Sequence, residues 1–302
     1  MDGAAISAPS NVDRYLHVRS MIETPIMDDR KWAKVPGIAA DAFLVDLEDS
    51  VPPPLKEAAR ERVIDCIRDP SHLGGRTLVA RPNHLSTPWG RDDIEAMAEA
   101  GVTCLAYPKC ESADDLGEML SIFRAHGGSP DVFATVETAR AVVNMREVAS
   151  NPNVVALGIG VGDLSADMGV PLFDDDGEVN PLFDSAKSQL TIMGAAFGLL
   201  RCDFAYAPDL RDLAEVQRRL LISRARGFTA AATFYPPHVD VINEVFSPSP
   251  AEVQAADDLI GVYEAAVADG RAALADASGR TILVHDYHKA LKVRARAAAL
   301  AR

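Results

Sequence analysis

No two cysteines stand at Cys-x-x-Cys spacing. The four present (Cys66, Cys104, Cys110 and Cys202) are scattered singly and match no zinc-ligand pattern. They read as free thiols of a reducing compartment rather than as a disulfide or zinc framework. Long apolar runs are missing too: the longest uncharged, fairly apolar stretch, residues 188–200, falls short of the roughly 20 residues that a bilayer span takes. No basic segment followed by an apolar one opens the chain, so no secretory signal is expected, and the expected location is cytoplasmic with no membrane partner. Positive charge is scarce, 30 Lys and Arg against 44 Asp and Glu, for a formal net charge of −14. Such a balance argues against nucleic-acid binding, which needs a basic surface to displace counterions. An anionic substrate must instead be met by a local cluster of Arg or Lys. Neither an internal repeat nor a low-complexity segment is present beyond Ala enrichment near the C-terminus.

What the chain does have is an alternation. Short apolar or β-branched runs predict strands at 16–22, 42–47, 77–81, 104–108, 132–136, 154–159, 202–206 and 231–234. Amphipathic stretches predict helices at 28–35, 54–68, 91–100, 113–126, 138–150, 186–200, 212–226 and 239–245, with an irregular acidic loop before the sixth. Eight strand–helix units in succession predict an α/β fold, a TIM-type (β/α)8 barrel over residues 1–248. Ser249-Pro250-Ala251-Glu252 then reads as an N-cap Ser, a first-turn Pro and a capping Glu. It opens a helix to about 275, followed by an apolar run at 281–284 and a basic helix at 288–302. Residues 249–302 are thus expected to form a C-terminal helical extension or lid.

In such a barrel, chemistry collects at the C-terminal ends of the strands. Those ends carry Glu23, Asp46-Leu47-Glu48-Asp49, Arg81-Pro82-Asn83, Lys109, Glu137 and Gly160-Val161-Gly162-Asp163. Charges placed directly after apolar runs must be paired, solvated or metal-bound. Glu137 and Asp163, from adjacent strands, are suited to one Mg²⁺, which takes one or two carboxylates and leaves its other positions to substrate and water. Each acid taken alone is explained equally well as a helix cap. Gly162 beside Asp163 would let a substrate approach the backbone closely. His84 is a candidate for acid–base work. A Schiff base on Lys109 would define a metal-independent aldolase instead.

Other motifs carry less. Gly158-x-Gly160-x-Gly162 lacks the final glycine of a dinucleotide fingerprint, because position 163 is Asp. Asp174-Asp175-Asp176-Gly177 lacks the alternating ligands of an EF-hand and reads as a solvated loop. His285 and His288 lie in a poorly patterned segment and read as exposed.

The motifs RSMIETP (19–25), ADAFLVDLEDSVPPPLKEAAR (40–60) and RPNHLSTPWGRDDIEAM (81–97) resemble the HpcH/HpaI aldolase–citrate lyase superfamily. YPKCESADDL (107–116), VETARAVVNMREVA (136–149), LGIGVGDLSADMG (157–169) and NEVFSPSPAEV (243–253) continue the likeness, which is to the citrate lyase beta subunit-like branch. The resemblance implies a TIM-like barrel, Mg²⁺ held by Glu137 and Asp163, and substrate contact by Arg81. It adds Arg19 as a contact for a carboxylate or phosphate, and Glu48 for proton transfer or for orienting Arg81. It further implies a Mg-dependent carbon–carbon lyase that cleaves a 3-hydroxy acyl-CoA, such as citramalyl-CoA or malyl-CoA, to acetyl-CoA and a 2-keto acid. The implied partners are a small-molecule substrate, a CoA thioester, and further copies of the chain in a homo-oligomer, a trimer or hexamer.

The chain departs from its relatives in three places. Phe234-Tyr235-Pro236-Pro237-His238 stands where Ile-His-Pro-x-Gln is common, and Glu23-Thr24-Pro25 where Val-Pro-Gly is. The C-terminal Gly-Lys-Met-Ile-Asp segment aligns poorly with Gly279-Arg280…His285-Asp286. These lie where acyl-CoA and lid contacts are expected. An aldolase acting on free hydroxy-keto acids, a malyl-CoA thioesterase-like hydrolase and a non-enzymatic subunit therefore stand as alternatives, and Asp49 is expected to be a structural cap.

Overall fold

The computed structural model describes residues 11–270, 274–275 and 281–301. The first ten residues and the Gly279-Arg280 pair of the C-terminal comparison lie outside them. Eight parallel strands close on themselves in sequence order: β1 (Ser20–Thr24), β2 (Ala42–Asp46), β3 (Thr77–Arg81), β4 (Cys104–Tyr107), β5 (Asp131–Val136), β6 (Val154–Ile159), β7 (Leu200–Phe204) and β8 (Ala230–Thr233). β1 pairs with β8 through Ser20↔Ala231, which completes the ring. The chain therefore folds as a TIM-type (β/α)8 barrel. All five residues of β2 are buried, as are five of the six in β6. Such continuous burial is what a parallel sheet covered by helices requires.

The barrel helices are α1 (Asp29–Trp32), α2 (Lys56–Arg68), α3 (Gly90–Glu99), α4 (Ala113–Ala125), α5 (Ala139–Ala149), α6 (Val161–Met168), α7 (Leu182–Ala196), α8 (Leu213–Ala225) and α9 (His238–Phe246). In α4 the buried residues Leu116, Met119, Leu120 and Phe123 recur at helical spacing and face the strands. Ser112 and Thr138 cap α4 and α5 by accepting the backbone N–H of Asp115 and Ala141. Gly227 ends the α8 connection at φ 103°, a conformation that a side chain would oppose.

Four expectations need correction. β1 starts at Ser20 rather than at residue 16, because neither neighbour extends further back: β2 begins at Ala42, opposite Met21. β7 lies two residues earlier than expected, which leaves Tyr206 beyond the strand end. The acidic loop after β6 contains α6, whose buried face is only Val161 and Leu164, too short to show a period in sequence. Helix α7 then begins at Leu182, four residues before its expected start.

By compactness the chain divides into Met1–Val245 and Phe246–Arg302. The second unit holds α10 (Pro250–Ala268), a two-stranded antiparallel pair of β9 (Leu274–Ala275) and β10 (Thr281–Ile282), and α11 (Val284–Leu300). The capping box is present, with Ser249 Oγ accepting from Glu252 N and Glu252 Oε2 accepting from Ser249 N. Ala256, Ile260 and Ala290 form its small core, and Tyr287 stacks on Tyr263. No helix among the described residues is long and apolar enough to cross a membrane.

Candidate active site

Arg81 is the last residue of β3, and its guanidinium collects three acids. Nε donates to Asp46 Oδ1 at 2.5 Å, while Nη2 lies 3.2 Å from Glu23 Oε2 and Nη1 3.5 Å from Glu48 Oε2. Burial works against the charge of Arg81, but the three acids outweigh it and hold its pKa above even its usual value. Burial would likewise raise Asp46, yet Arg81 and the hydrogen bonds from Ser50 hold it low. Asp46 also accepts the backbone N–H of Glu48 and Ser50, so it is the cap of this loop. Asp49, expected in that role, instead lines the cavity described below.

The loop is pinned from behind by a buried lysine. Lys56 Nζ donates to Leu47 O, Glu48 O and Asn83 Oδ1 at 2.6–2.7 Å. Asn83 Nδ2 donates to Leu47 O and to Asp93, which Arg60 neutralises at 2.6 Å. The Arg-Pro-Asn segment thus splits its work: Arg81 enters the site and Asn83 holds the loop that carries Glu48. Pattern reading gave no sign of Lys56, because a lysine in a first helical turn is ordinarily solvated.

Lys109 follows β4 and adopts φ 46°, the one positive φ outside glycine among the described residues. That conformation is disfavoured for a side chain with Cβ and persists only where surrounding contacts enforce it. Here they do. Lys109 N–H donates to Glu137 Oε1 at 2.7 Å, and its ammonium reaches Glu48 Oε1 at 2.5 Å and Asp163 Oδ2 at 3.8 Å. Burial alone would lower the Lys109 pKa, but the bond to Glu48 and the charges of Glu137 and Asp163 raise it. A Schiff base starts from the neutral amine, so this environment opposes the Lys109 aldolase alternative.

Glu137 ends β5 almost fully buried, and burial together with the nearby charges of Glu48 and Asp163 pushes it up to about 8. Its other oxygen lies against Gly160, where an added Cβ would fall 2.5 Å from Oε2. Only glycine fits there. Asp163 stands in the first turn of α6, whose N-terminus favours a negative charge, and its side chain is 41% exposed. A Cβ on Gly162 would come within 3.0 Å of the Tyr206 hydroxyl, so the absence of a side chain lets Tyr206 pack closely against the start of α6. Arg81, Glu137, Gly162, Asp163 and Tyr206 line one cavity of about 310 Å³, walled further by Phe204 and the half-exposed Phe234.

Two hard carboxylates, one buried and one accessible, fit a magnesium ion that draws its remaining ligands from substrate and water. Among the described residues no cluster of three His, Cys, Asp or Glu offers a closed protein cage. Carboxylate oxygens suit Mg²⁺ better than zinc, which favours nitrogen and sulfur ligands.

Other expected residues lie elsewhere. Arg19 precedes β1, and its guanidinium pairs with Asp41 at 2.8 Å on the N-terminal side of the barrel, away from the cavity; the four-residue shift of β1 is the reason. His84 is engaged by Ser86 and Asp115 and stacks on Tyr107. His238 is fully buried, with Thr233 at one ring nitrogen and Leu210 O at the other, so it stabilises the turn after β8. All four cysteines are free and buried, and burial raises their pKa values, which makes poor nucleophiles of them.

Glu23, expected at a strand end but given no role there, completes the acid ring around Arg81. Burial pushes it from 4.5 to about 7, with Arg81 opposing. Between those values the folded chain binds this proton and the unfolded chain does not, so stability falls as pH rises from about 4.5 to 7. Glu23→Gln is expected to flatten that dependence by on the order of 2 kcal/mol. Metal-free melting curves from pH 5 to 8 measure it, and parallel curves for variant and wild type would refute it.

A closed eight-stranded barrel with an acid-ringed, magnesium-type site at its C-terminal end defines the class. Residues 19–235 match the HpcH/HpaI aldolase/citrate lyase family, and the chain belongs to it, in the citrate lyase beta subunit-like branch. It is 32% identical over 256 residues to a (3S)-malyl-CoA thioesterase of Cereibacter sphaeroides, covering 84% of this chain and 85% of that one. To the mitochondrial citramalyl-CoA lyase of Homo sapiens it is 26% identical over 272 residues, covering 84% and 78%. A solved structure of CitE, the citrate lyase beta subunit of Mycobacterium tuberculosis, holds magnesium, acetoacetate and coenzyme A. It superposes with a TM-score of 0.76 at 27% identity, covering 93% of this chain and 98% of that one.

Proposed function

We propose that this protein is a Mg²⁺-dependent carbon–carbon lyase that splits a 3-hydroxy acyl-CoA of the malyl or citramalyl type into acetyl-CoA and a 2-oxo acid. The observation that carries the reading is the juxtaposition of two acids suited to a hard cation, Glu137 and Asp163, with the buried guanidinium of Arg81 in one cavity. Bound by Glu137 and Asp163, Mg²⁺ would chelate the carboxylate and hydroxyl oxygens of the substrate and acidify that hydroxyl. Breaking the C–C bond leaves negative charge on the thioester oxygen, and Arg81 is the donor that stabilises it without reorganising. The backbone N–H of Asp163 in the first turn of α6 suits the substrate carboxylate.

Glu48 is the proton-handling group in this reading. Burial raises its pKa against Arg81 and Lys109, and its Oε2 accepts no hydrogen bond. Lys109 fixes the other oxygen of Glu48, which leaves Oε2 as the atom open to give or take a proton. Arg19 has no part.

A second reading, hydrolysis of the thioester, is favoured by the likeness to malyl-CoA thioesterase. One assay separates them. Citramalyl-CoA and malyl-CoA are incubated with Mg²⁺ while free thiol and 2-oxo acid are both measured. The lyase reading expects pyruvate or glyoxylate equimolar with acetyl-CoA, and no free CoA. Free CoA with intact malate or citramalate supports the hydrolase, and cleavage of free hydroxy-keto acids alone removes CoA from the proposal.

A further inference from the structure

Glycine in a strand interior is costly, because it gives up backbone entropy and packs nothing. Gly158 lies inside β6, and its φ is not in the left-handed region, so the backbone does not require it. Packing does not require it either: a Cβ built on Gly158 meets no atom within 4 Å. The empty space belongs to the cavity. Gly158 lines it two residues before Gly160, about 6–7 Å further back along the chain. Beside it Ala106 on β4, Cys202 on β7 and Ala232 on β8 are small, while Met21, Leu44 and Phe133 close the same cavity. TIM barrels ordinarily fill this depth with bulky branched side chains. Here the lining is apolar apart from Thr135, which pairs with Gly158, and Asp203, which Lys187 neutralises.

Resting on the lyase reading above, we propose that Gly158 sets the size of the branch carried by the 2-oxo acid half of the substrate. The floor beneath the acid ring accepts an unbranched apolar tail longer than the methyl of pyruvate, and Ala106 and Ala232 bound it at the sides. The oxo and carboxylate oxygens stay at the metal-binding end beside Glu137 and Asp163, and the tail descends into the barrel. Each methylene buried there strengthens binding roughly fourfold.

Calorimetric titration of the full chain with Mg²⁺ and glyoxylate, pyruvate or 2-oxopentanoate tests this. The wild type is expected to bind 2-oxopentanoate more tightly than pyruvate. Gly158→Val is expected to reverse that order, weakening 2-oxopentanoate at least tenfold more than glyoxylate, with Gly158→Ala intermediate. Melting temperatures at or above wild type will show that both variants fold. A wild type that binds pyruvate but rejects 2-oxopentanoate overturns the inference and leaves the lyase reading standing. Equal weakening of all three acids by Gly158→Val also overturns it. A wild type that binds none of the three overturns the lyase reading, and the inference with it.

Discussion

Glu137→Gln is expected to lower kcat/KM by about a thousandfold or more, the scale of several kcal/mol that a metal centre contributes. The substitution keeps the shape of the side chain and one oxygen for the Lys109 N–H, so the fold is expected to survive. What it removes is the charge that makes the oxygen beside Gly160 a ligand for a hard cation. Excess Mg²⁺ is expected not to restore full activity, because a neutral amide oxygen is a poor ligand for a hard cation. Steady-state kinetics at 0.1–50 mM Mg²⁺, a range of order set by the weak binding typical of such sites, measure it. Activity within tenfold of wild type would remove Glu137 from the metal centre.

Replacing Arg81 is expected to separate stability from catalysis. Arg81→Met leaves Glu23, Asp46 and Glu48 facing one another without their shared cation. Breaking one side of a buried ionic cluster costs about 3–5 kcal/mol, and protonating the stranded acids relieves part of it. The variant should therefore melt well below wild type at pH 8 and recover part of that loss at pH 5. Arg81→Lys keeps the charge but loses the planar fork that serves several acids and an oxyanion together. It is expected to fold and to lose about a hundredfold or more in kcat, with a smaller change in KM. Equal melting temperatures for Arg81→Met and wild type would show that the acids are not coupled through Arg81.

The strand-end logic made the acids legible. Glu137 and Asp163 come directly after apolar runs in β5 and β6, and a charge there needs a partner. Arg81 and Glu48 were visible for the same reason. Arg19 misled because residues 16–18 continue the apolar pattern, although no neighbouring backbone reaches them; a one-dimensional pattern does not record where its partners end. The loop that became α6 was illegible as a helix, since two buried residues make no period. Asp46 and Asp49 are interchangeable in sequence, and only the backbone path shows which of them folds back to accept N–H groups. Lys56 needs three acceptors from two separate loops, a condition that no local window contains. Tyr206 carries no distinctive local signal and joins the site only because the barrel closes.

The most direct test of the account is Mn²⁺ binding followed by electron paramagnetic resonance, with and without pyruvate, in the wild type, Glu137→Gln and Asp163→Asn. Manganese takes the place of Mg²⁺ at oxygen sites and reports its own coordination. The account predicts one site in the wild type, a spectrum that changes on adding pyruvate, and loss of both features in each variant. An unchanged signal in both variants, or a metal site indifferent to pyruvate, would contradict it.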